Sequence, residues 1–200
     1  MNFLAHLHIA DKCHSSFLGN LLGDFVKGDP DKLYPLNIAR GIRLHRFVDS
    51  FTDAHPVMRD AKSLFPAKQR RFAGIALDVM WDHFLATKWS QYHNQALRDF
   101  CQYAERDIAT EQALEVVSVP QRYKLMTTRM WQGRWLESYR ELDNIEFALS
   151  RMSQRSERMQ PLADCFTPMA TNYQQLAVMF DDFYPNLLNV SRDFYVNSGN

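Results

Sequence analysis

Apolar residues recur along this chain at intervals of three and four, the spacing that places them on one face of an α-helix. In the segment 15–28, serines precede the first apolar residue and Gly28 follows the last, as is common at helix ends. The four apolar residues that share a face are Phe17, Leu21, Leu22 and Phe25. We therefore predict a helix over this segment.

Two longer segments show the same periodicity. Pro35 and Pro56 bound the segment 36–56, and proline starts or stops helices because its ring fixes φ and removes the N–H donor. The segment 68–89 predicts a second long helix. Its expected buried positions are Phe72, Ile75, Ala76, Val79, Phe84 and Leu85.

The rest of the chain continues in helical rhythm over the segments 94–109, 119–157 and 161–199, and no segment shows the alternation typical of a strand. Glycine and proline are scarce, at 7 and 8 residues, which disfavours a many-turned β architecture. A length of 200 residues suits one domain. We predict a single compact all-α domain over residues 1–200, with about eight helices.

Charge and cysteine content exclude several classes of protein. Lysine plus arginine and aspartate plus glutamate are equal at 23 each, which gives no overall argument for binding to nucleic acid or to a membrane surface. Three widely spaced cysteines, Cys13, Cys101 and Cys165, indicate reduced thiols and a cytoplasmic protein. The N-terminus does not resemble a signal peptide, and no apolar run reaches the roughly 18 residues of a transmembrane helix.

Candidate chemistry concentrates in the N-terminal half, where six of the seven histidines lie within the first 83 residues. His45 and Asp49 are four residues apart in one predicted helix, and Asp78 and Asp82 repeat that spacing in another. Residues four apart lie roughly 5–6 Å from each other on one helix face. Two helices that each carry such a pair can enclose a divalent ion.

Several of these groups interrupt apolar runs, where an unpaired charge is costly to bury. Asp78 lies in GIALDVMWDHFLA, Asp24 in GNLLGDFVKG and His6 in NFLAHLHIA. Each residue alone has a simpler reading as an ion-pair partner, a turn cap or a solvated side chain. Together they favour a metal site, and its carboxylate-rich composition favours Mn²⁺, with Mg²⁺ or Fe²⁺ as alternatives.

Basic residues form a second group. The segment 61–77 contains Lys62, Lys68, Arg70 and Arg71 but no acidic residue. Such a run is most often a solvated face, and the alternative is a docking surface for an acidic partner.

Four ordered motifs, MNFLAHLHIA, GNLLGDFVKG, GIRLHRFVDSFTDAHP and DVMWDHFLA, together resemble the acyl carrier protein phosphodiesterase family. That family is regarded as a divergent branch of the HD-type metal-dependent phosphohydrolases. The resemblance implies an all-α, HD-domain-like fold and a Mn²⁺-dependent site. The implied reaction removes 4′-phosphopantetheine from holo-acyl carrier protein, an acidic protein substrate.

HD-type ligand roles do not transfer directly, because the chain has no His-Asp dipeptide and only the inverted pair Asp82-His83. Motif position and helix spacing select as metal ligands Asp24, His45, Asp49, Asp78 and Asp82. The candidate general acids are His83 and His6, and the candidates for binding phosphoryl oxygens are Arg43, Arg46 and Lys27. The candidates for contact with the carrier protein are Lys68, Arg70 and Arg71. Two alternatives stay open: an HD-type phosphohydrolase acting on nucleotides, and a non-enzymatic helical binding module.

Overall fold

The computed structural model of the protein describes residues 1–115 and 117–198, and most of these residues are helical. This part of the chain contains α-helices and two short 3-10 helices but no β-strand, so the all-α prediction is confirmed. The α-helices are α1 Phe3–Cys13, α2 Phe17–Leu22, α3 Leu36–Ala54, α4 Pro56–Ser63, α5 Arg70–Thr87, α6 Trp89–Tyr92, α7 Leu97–Leu114, α8 Gln121–Gln132, α9 Trp135–Ser138, α10 Leu142–Ser153, α11 Phe166–Thr171 and α12 Tyr173–Asn197. The 3-10 helices span Pro30–Lys32 and Glu157–Cys165.

The two prolines that bound the predicted segment 36–56 act as expected. Pro35 precedes the first residue of α3, and Pro56 is the first residue of α4. Between them, the His55 ring accepts a hydrogen bond from the backbone N–H of Val57 at 3.2 Å and so caps α4. Proline fits the first helical turn because the N–H it lacks would have no partner there.

One predicted helix is shorter than expected, and two predicted helical segments are divided into several helices. Helix α2 ends at Leu22, whereas the prediction extended it to residue 28. The predicted segment 119–157 is broken into α8, α9 and α10, with Arg134 in the left-handed conformation at φ 49° before α9. The segment 161–199 begins with a 3-10 helix and contains two α-helices, and its last residue lies outside the described range.

Helix α1 was not predicted, although it lies at the centre of the fold. It packs against α2, α3, α5 and α12, and eight of its eleven residues are buried. A helix that is buried on nearly all sides carries no polar stripe, so the periodicity of its sequence gives little signal. This helix positions His6 in the interior.

Helices α2 and α3 cross in close contact, and two glycines make that approach possible. A Cβ atom on Gly19 would lie 2.4 Å from the carbonyl oxygen of Ile38, and one on Gly41 would lie 3.0 Å from the Cα of Gly19. The crossing directs the chain that leaves α2 toward the middle of α3.

One core prediction is wrong: Ile75 is 38% exposed, whereas Phe72, Ala76, Val79, Phe84 and Leu85 are buried as expected. All three cysteines are buried and unpaired. Among the described helices, none combines the length and apolar character needed to cross a membrane.

Candidate metal centre

Three helices and one loop bring together four of the predicted ligands and His6, which the sequence suggested as a general acid. Helix α1 supplies His6, α3 supplies His45 and Asp49 one turn apart, and the loop after α2 supplies Asp24. His6, His45 and Asp49 each offer one donor atom, and these three atoms lie within 4.8 Å of one another. Asp78, on α5, reaches the same region from the opposite side.

The distances around Asp49 are short enough for a shared ligand shell. Its two carboxylate oxygens lie 3.1 Å from Nε2 of His45 and 3.1 Å from Nε2 of His6. Nε2 of His45 also lies 3.4 Å from a carboxylate oxygen of Asp24. The two imidazole rings stack with centroids 3.8 Å apart.

The buried ring nitrogens of this group fit a cation. Nε2 of His45 forms no hydrogen bond of acceptable geometry despite its two carboxylate neighbours, and Nδ1 of both His6 and His45 is also without a partner. Buried polar atoms without partners are rare in native proteins. Only Nε2 of His6 is hydrogen-bonded within the group, to Asp49 at 3.1 Å, and imidazole nitrogens that converge on carboxylates are the arrangement expected around a divalent ion.

The electrostatics of the cluster centre on Asp49. Burial alone would lower the pKa of His45, but the carboxylates of Asp24 and Asp49 outweigh it and raise the pKa to about 9. Burial would raise the pKa of Asp49, but His45 and His6 hold that pKa well below its usual range. Burial, together with the charge on His45, lowers the pKa of His6 to about 4. Asp49 is therefore a carboxylate at neutral pH.

A positive group already lies among the acids. The amino group of Met1 donates to a carboxylate oxygen of Asp78 at 2.9 Å and lies 3.5 Å from one of Asp49. Burial raises the pKa of Asp78. The region attracts positive charge, as a metal site must.

The cluster opens into a cleft of about 210 Å³, which we call the acidic cleft. Four carboxylates, four apolar residues and Asn2 line it. The carboxylates are Asp24, Asp49, Asp53 and Asp78, and the apolar residues are Met1, Ile75, Val79 and Met152. The exposure of Ile75 follows from its place in the lining of this cleft.

Asp82 has a different set of contacts from the other predicted ligands. Its two oxygens accept hydrogen bonds from the backbone N–H groups of Leu4 and Ala5, at 2.8 and 3.0 Å. Burial raises its pKa to about 7 against the effect of these two bonds. Asp82 thus satisfies N–H groups at the start of α1, which a helix leaves without internal partners.

His83 faces the C-terminal half of the protein. Its Nδ1 donates to the carbonyl of Tyr139 at 2.8 Å, and its Nε2 accepts from the hydroxyl of Tyr173 at 2.9 Å. Both ring nitrogens are engaged, and burial lowers the pKa of the ring. The structure does not bring His83 to the acidic cleft.

The two candidate arginines secure the loop that carries Asp24. Arg46 donates to the backbone carbonyls of Val26 and Gly28, at 2.7 and 2.8 Å. Arg43 forms an ion pair with Asp31. Both guanidinium groups therefore bind and stabilise the loop, whereas we predicted that they would bind phosphoryl oxygens.

The remaining basic candidates are exposed. Lys27 lies in the loop beyond Asp24, and Lys68 lies before α5. The guanidinium of Arg71 lies 4.5 Å from the ring centroid of Phe72. Of these four candidates, only Arg70 lines a second cleft, which adjoins the first.

Sequence reasoning missed two residues of the site. A Cβ atom on Gly23 would lie 2.2 Å from the ring of His45, so glycine leaves the space that this ring occupies. The only signal was the position of Gly23 next to Asp24. Met152 comes from α10, far along the chain, and no local pattern indicates that it meets the cleft.

Comparisons with known proteins agree with the resemblance indicated by the four sequence motifs. Residues 1–187 match a family described as acyl carrier protein phosphodiesterase. The chain is 43% identical over 189 residues to a protein of that name from Yersinia pestis, and 41% identical over 189 residues to one from Enterobacter sp. (strain 638). Each alignment covers 94% of this chain and 96% of the relative. No solved structure matches the protein significantly. The chain therefore belongs to the acyl carrier protein phosphodiesterase family.

Proposed function

We propose that the protein is a metal-dependent phosphodiesterase that hydrolyses the bond between 4′-phosphopantetheine and a serine of holo-acyl carrier protein. The products are apo-acyl carrier protein and 4′-phosphopantetheine. Relatives that match 94% of the chain are named acyl carrier protein phosphodiesterases. The observation that carries the metal dependence is the convergence of donor atoms from His6, His45 and Asp49 within 4.8 Å.

In this proposal His6, His45 and Asp49 bind Mn²⁺, and Asp24 and Asp78 are the nearby carboxylates available to complete its coordination. Mixed imidazole and carboxylate ligands suit Mn²⁺, with Mg²⁺ or Fe²⁺ as alternatives. When bound, such an ion supplies Lewis-acid polarisation of a phosphoryl oxygen and activation of water.

The side chains themselves determine how the substrate lies. Hydrolysis forms a P–O bond from water, breaks the bond between phosphorus and the serine oxygen, and returns a proton to that oxygen. Ile75, Val79 and Met152 line the acidic cleft and can limit the access of bulk water to the reacting phosphodiester. Lys27 stays a candidate for the non-bridging oxygens, since Arg43 and Arg46 are engaged with the loop.

His6 takes the role of ligand, where the sequence suggested a general acid. Its Nε2 lies against Asp49, and its pKa of about 4 leaves the ring neutral, the form in which imidazole binds metals. His45, whose pKa is about 9 without a metal, would release a proton when it binds one. His83 drops out as the general acid because both of its nitrogens already have partners.

The direct test is to incubate the purified, Mn²⁺-loaded protein with holo-acyl carrier protein and to measure the intact mass of the carrier. We expect loss of the phosphopantetheine group, and no loss after the metal is removed with a chelator. Hydrolysis of nucleotides with the carrier left intact would instead favour the alternative phosphohydrolase.

A matched pair of variants tests the proposed metal group, by which we mean His6, His45 and Asp49. His45→Asn should reduce both the bound Mn²⁺ and the activity by at least about tenfold, because a ligand is lost. His14→Asn should change neither, since His14 is exposed and its left-handed backbone, at φ 52°, accepts asparagine. Full activity and full metal content in His45→Asn would contradict the proposed site.

A further inference from the structure

A second cleft, of about 410 Å³, adjoins the acidic cleft and carries the opposite charge. It is lined by Arg59, Lys62, Ser63 and Arg70, and we call it the basic cleft. Asp53 lines both clefts, so the two are neighbours on the surface. A protein docked over the acidic cleft therefore lies beside the basic cleft.

The positive charge of the basic cleft is largely free. Neither Lys62 nor Arg70 forms an ion pair with a carboxylate in residues 1–115 or 117–198. Arg59 pairs with its neighbour Asp60 at 3.4 Å, but the two side chains are 80% and 57% exposed. Such an exposed pair contributes little and exchanges readily for another anion.

A hydrogen bond orients one of the three cations, and a second lies against α5. The Arg70 Nε–H donates to the carbonyl of Phe65 at 2.9 Å, which orients the guanidinium at the start of α5. Lys62 is partly buried, and its Nζ would lie 3.6 Å from a Cβ atom built on Gly74, so its side chain lies along α5. Pre-oriented charges lose less conformational entropy when a ligand binds.

The arrangement suits several separate carboxylates better than one phosphate. Arg59 and Lys62 are three residues apart on α4, and Arg70 is the first residue of α5. The Ser63 hydroxyl already donates to the carbonyl of Asp60 at 2.6 Å, so it offers no converging donor to a single anion. Asp53, at the boundary, repels a phosphate dianion about twice as strongly as a singly charged carboxylate at the same distance.

We propose that the basic cleft binds carboxylates on an acidic protein surface and so places the modified serine of that protein over the acidic cleft. The inference rests on the proposed function and adds Arg59 to the basic residues of the segment 61–77 as a residue that determines which protein is accepted. Of the four basic residues predicted in that segment, Lys62 and Arg70 line this cleft, whereas Lys68 and Arg71 do not.

The test is the double charge reversal Arg59→Glu/Lys62→Glu, compared with Arg98→Glu/Arg106→Glu on α7. All four side chains are polar and positively charged, the control pair is exposed, and the control lines neither cleft. We expect the cleft variant to raise KM for holo-acyl carrier protein by about tenfold or more while kcat changes less than about twofold, because surface charges act on association. The control should leave both constants within about twofold of the wild type.

Two further measurements separate docking from chemistry. Bis(p-nitrophenyl) phosphate is a small diester that needs no docking, and all three proteins should hydrolyse it at the same rate. Equal rates would show that the fold and the metal group are intact in both variants. The difference in KM should shrink as salt is added, because exposed charges are screened.

Direct binding of apo-acyl carrier protein to the metal-free enzyme separates failure of the inference from failure of the function. Binding by the wild type that the cleft variant loses supports the inference, whether or not the carrier is hydrolysed. Hydrolysis by the wild type with an unchanged KM in the cleft variant overturns the inference and leaves the function standing. If the cleft variant loses binding to free 4′-phosphopantetheine but still binds the apo-carrier, the basic cleft binds a phosphate. That result would also overturn the inference.

Discussion

His45, His8 and His83 are all buried, yet the partners of their ring nitrogens give them different chemistry. His45 meets the carboxylates of Asp24 and Asp49, which raise its pKa to about 9. His8 and His83 each accept a hydrogen bond from a tyrosine hydroxyl and donate one to a backbone carbonyl, and burial lowers the pKa of both rings. Partner type therefore separates the candidate ligand from the structural histidines.

Asp82 supports a prediction about its structural contacts. Asp82→Asn keeps one acceptor oxygen, so one of the N–H groups of Leu4 and Ala5 loses its partner. Leaving a buried donor unsatisfied should lower the free energy of unfolding by about 1–3 kcal/mol, measured by urea denaturation.

The matched control is Asp181→Asn, which weakens only the exposed pair of Asp181 with Lys88 and should cost less than about 1 kcal/mol. A contrary result would be unchanged stability in Asp82→Asn with a large loss of Mn²⁺ affinity. That outcome would restore Asp82 as a ligand, as its spacing from Asp78 suggests.

At the scale of elements, the turn after α2 decides whether the ring of His45 has room. Residues 15–28 predict one continuous helix, but the chain leaves the helix after Leu22 and passes over α3. The contacts of Arg46 with Val26 and Gly28 hold it there. The break brings Asp24 to the site, which a continued helix would not do.

Gly23→Ala tests this packing. The added Cβ would lie 2.2 Å from the His45 ring and should displace it, raising the Kd for Mn²⁺ by about 10- to 100-fold in a calorimetric titration. Gly74→Ala is the matched control, because its nearest contact, the Cε of Lys62, lies at 3.4 Å, an ordinary van der Waals distance. Equal Mn²⁺ affinity in both variants would show that the space beside Gly23 does not govern the metal group.

At the scale of the whole molecule, buried neutral histidines link stability to pH. The Nδ1 of His8 accepts from the hydroxyl of Tyr184 at 2.7 Å, and burial lowers the pKa of His8 from 6.5 to about 3. The unfolded chain therefore binds a proton that the folded protein does not bind between these two values. Stability falls as the pH drops below 6.5.

His8→Gln isolates this contribution. Between pH 7 and pH 5 the wild type should lose about 2 kcal/mol through His8 alone, so the variant should lose about 2 kcal/mol less over the same range. Urea unfolding with a chelator present measures both, and the other histidines cancel in the difference. An identical loss in the two proteins would contradict a neutral His8 in the folded state.

Local pattern accounts for much of the fold and part of the site. Apolar periodicity locates α3 and α5, and Pro35 and Pro56 mark the two ends of α3. The four-residue spacing places His45 and Asp49 on one face of α3. The pattern failed for α1, whose residues are apolar on nearly every side, and for the long segment 119–157. Breaks such as the one at Arg134 depend on packing against distant helices, which periodicity does not report.

By itself, the sequence determined the helical class and the family and indicated the residue types of the proposed metal group, because these depend on local spacing and on motifs in fixed order. The tertiary structure decided which of those residues meet. It brings His6 close to His45 and Asp49 and places the Asp82 carboxylate on a backbone N–H group at the start of α1. It also directs the His83 ring to the carbonyl of Tyr139, outside the acidic cleft. It also set the basic cleft beside the acidic one. The physical reason is that a ligand group is defined by distances between helices, and these are set by how their buried faces pack.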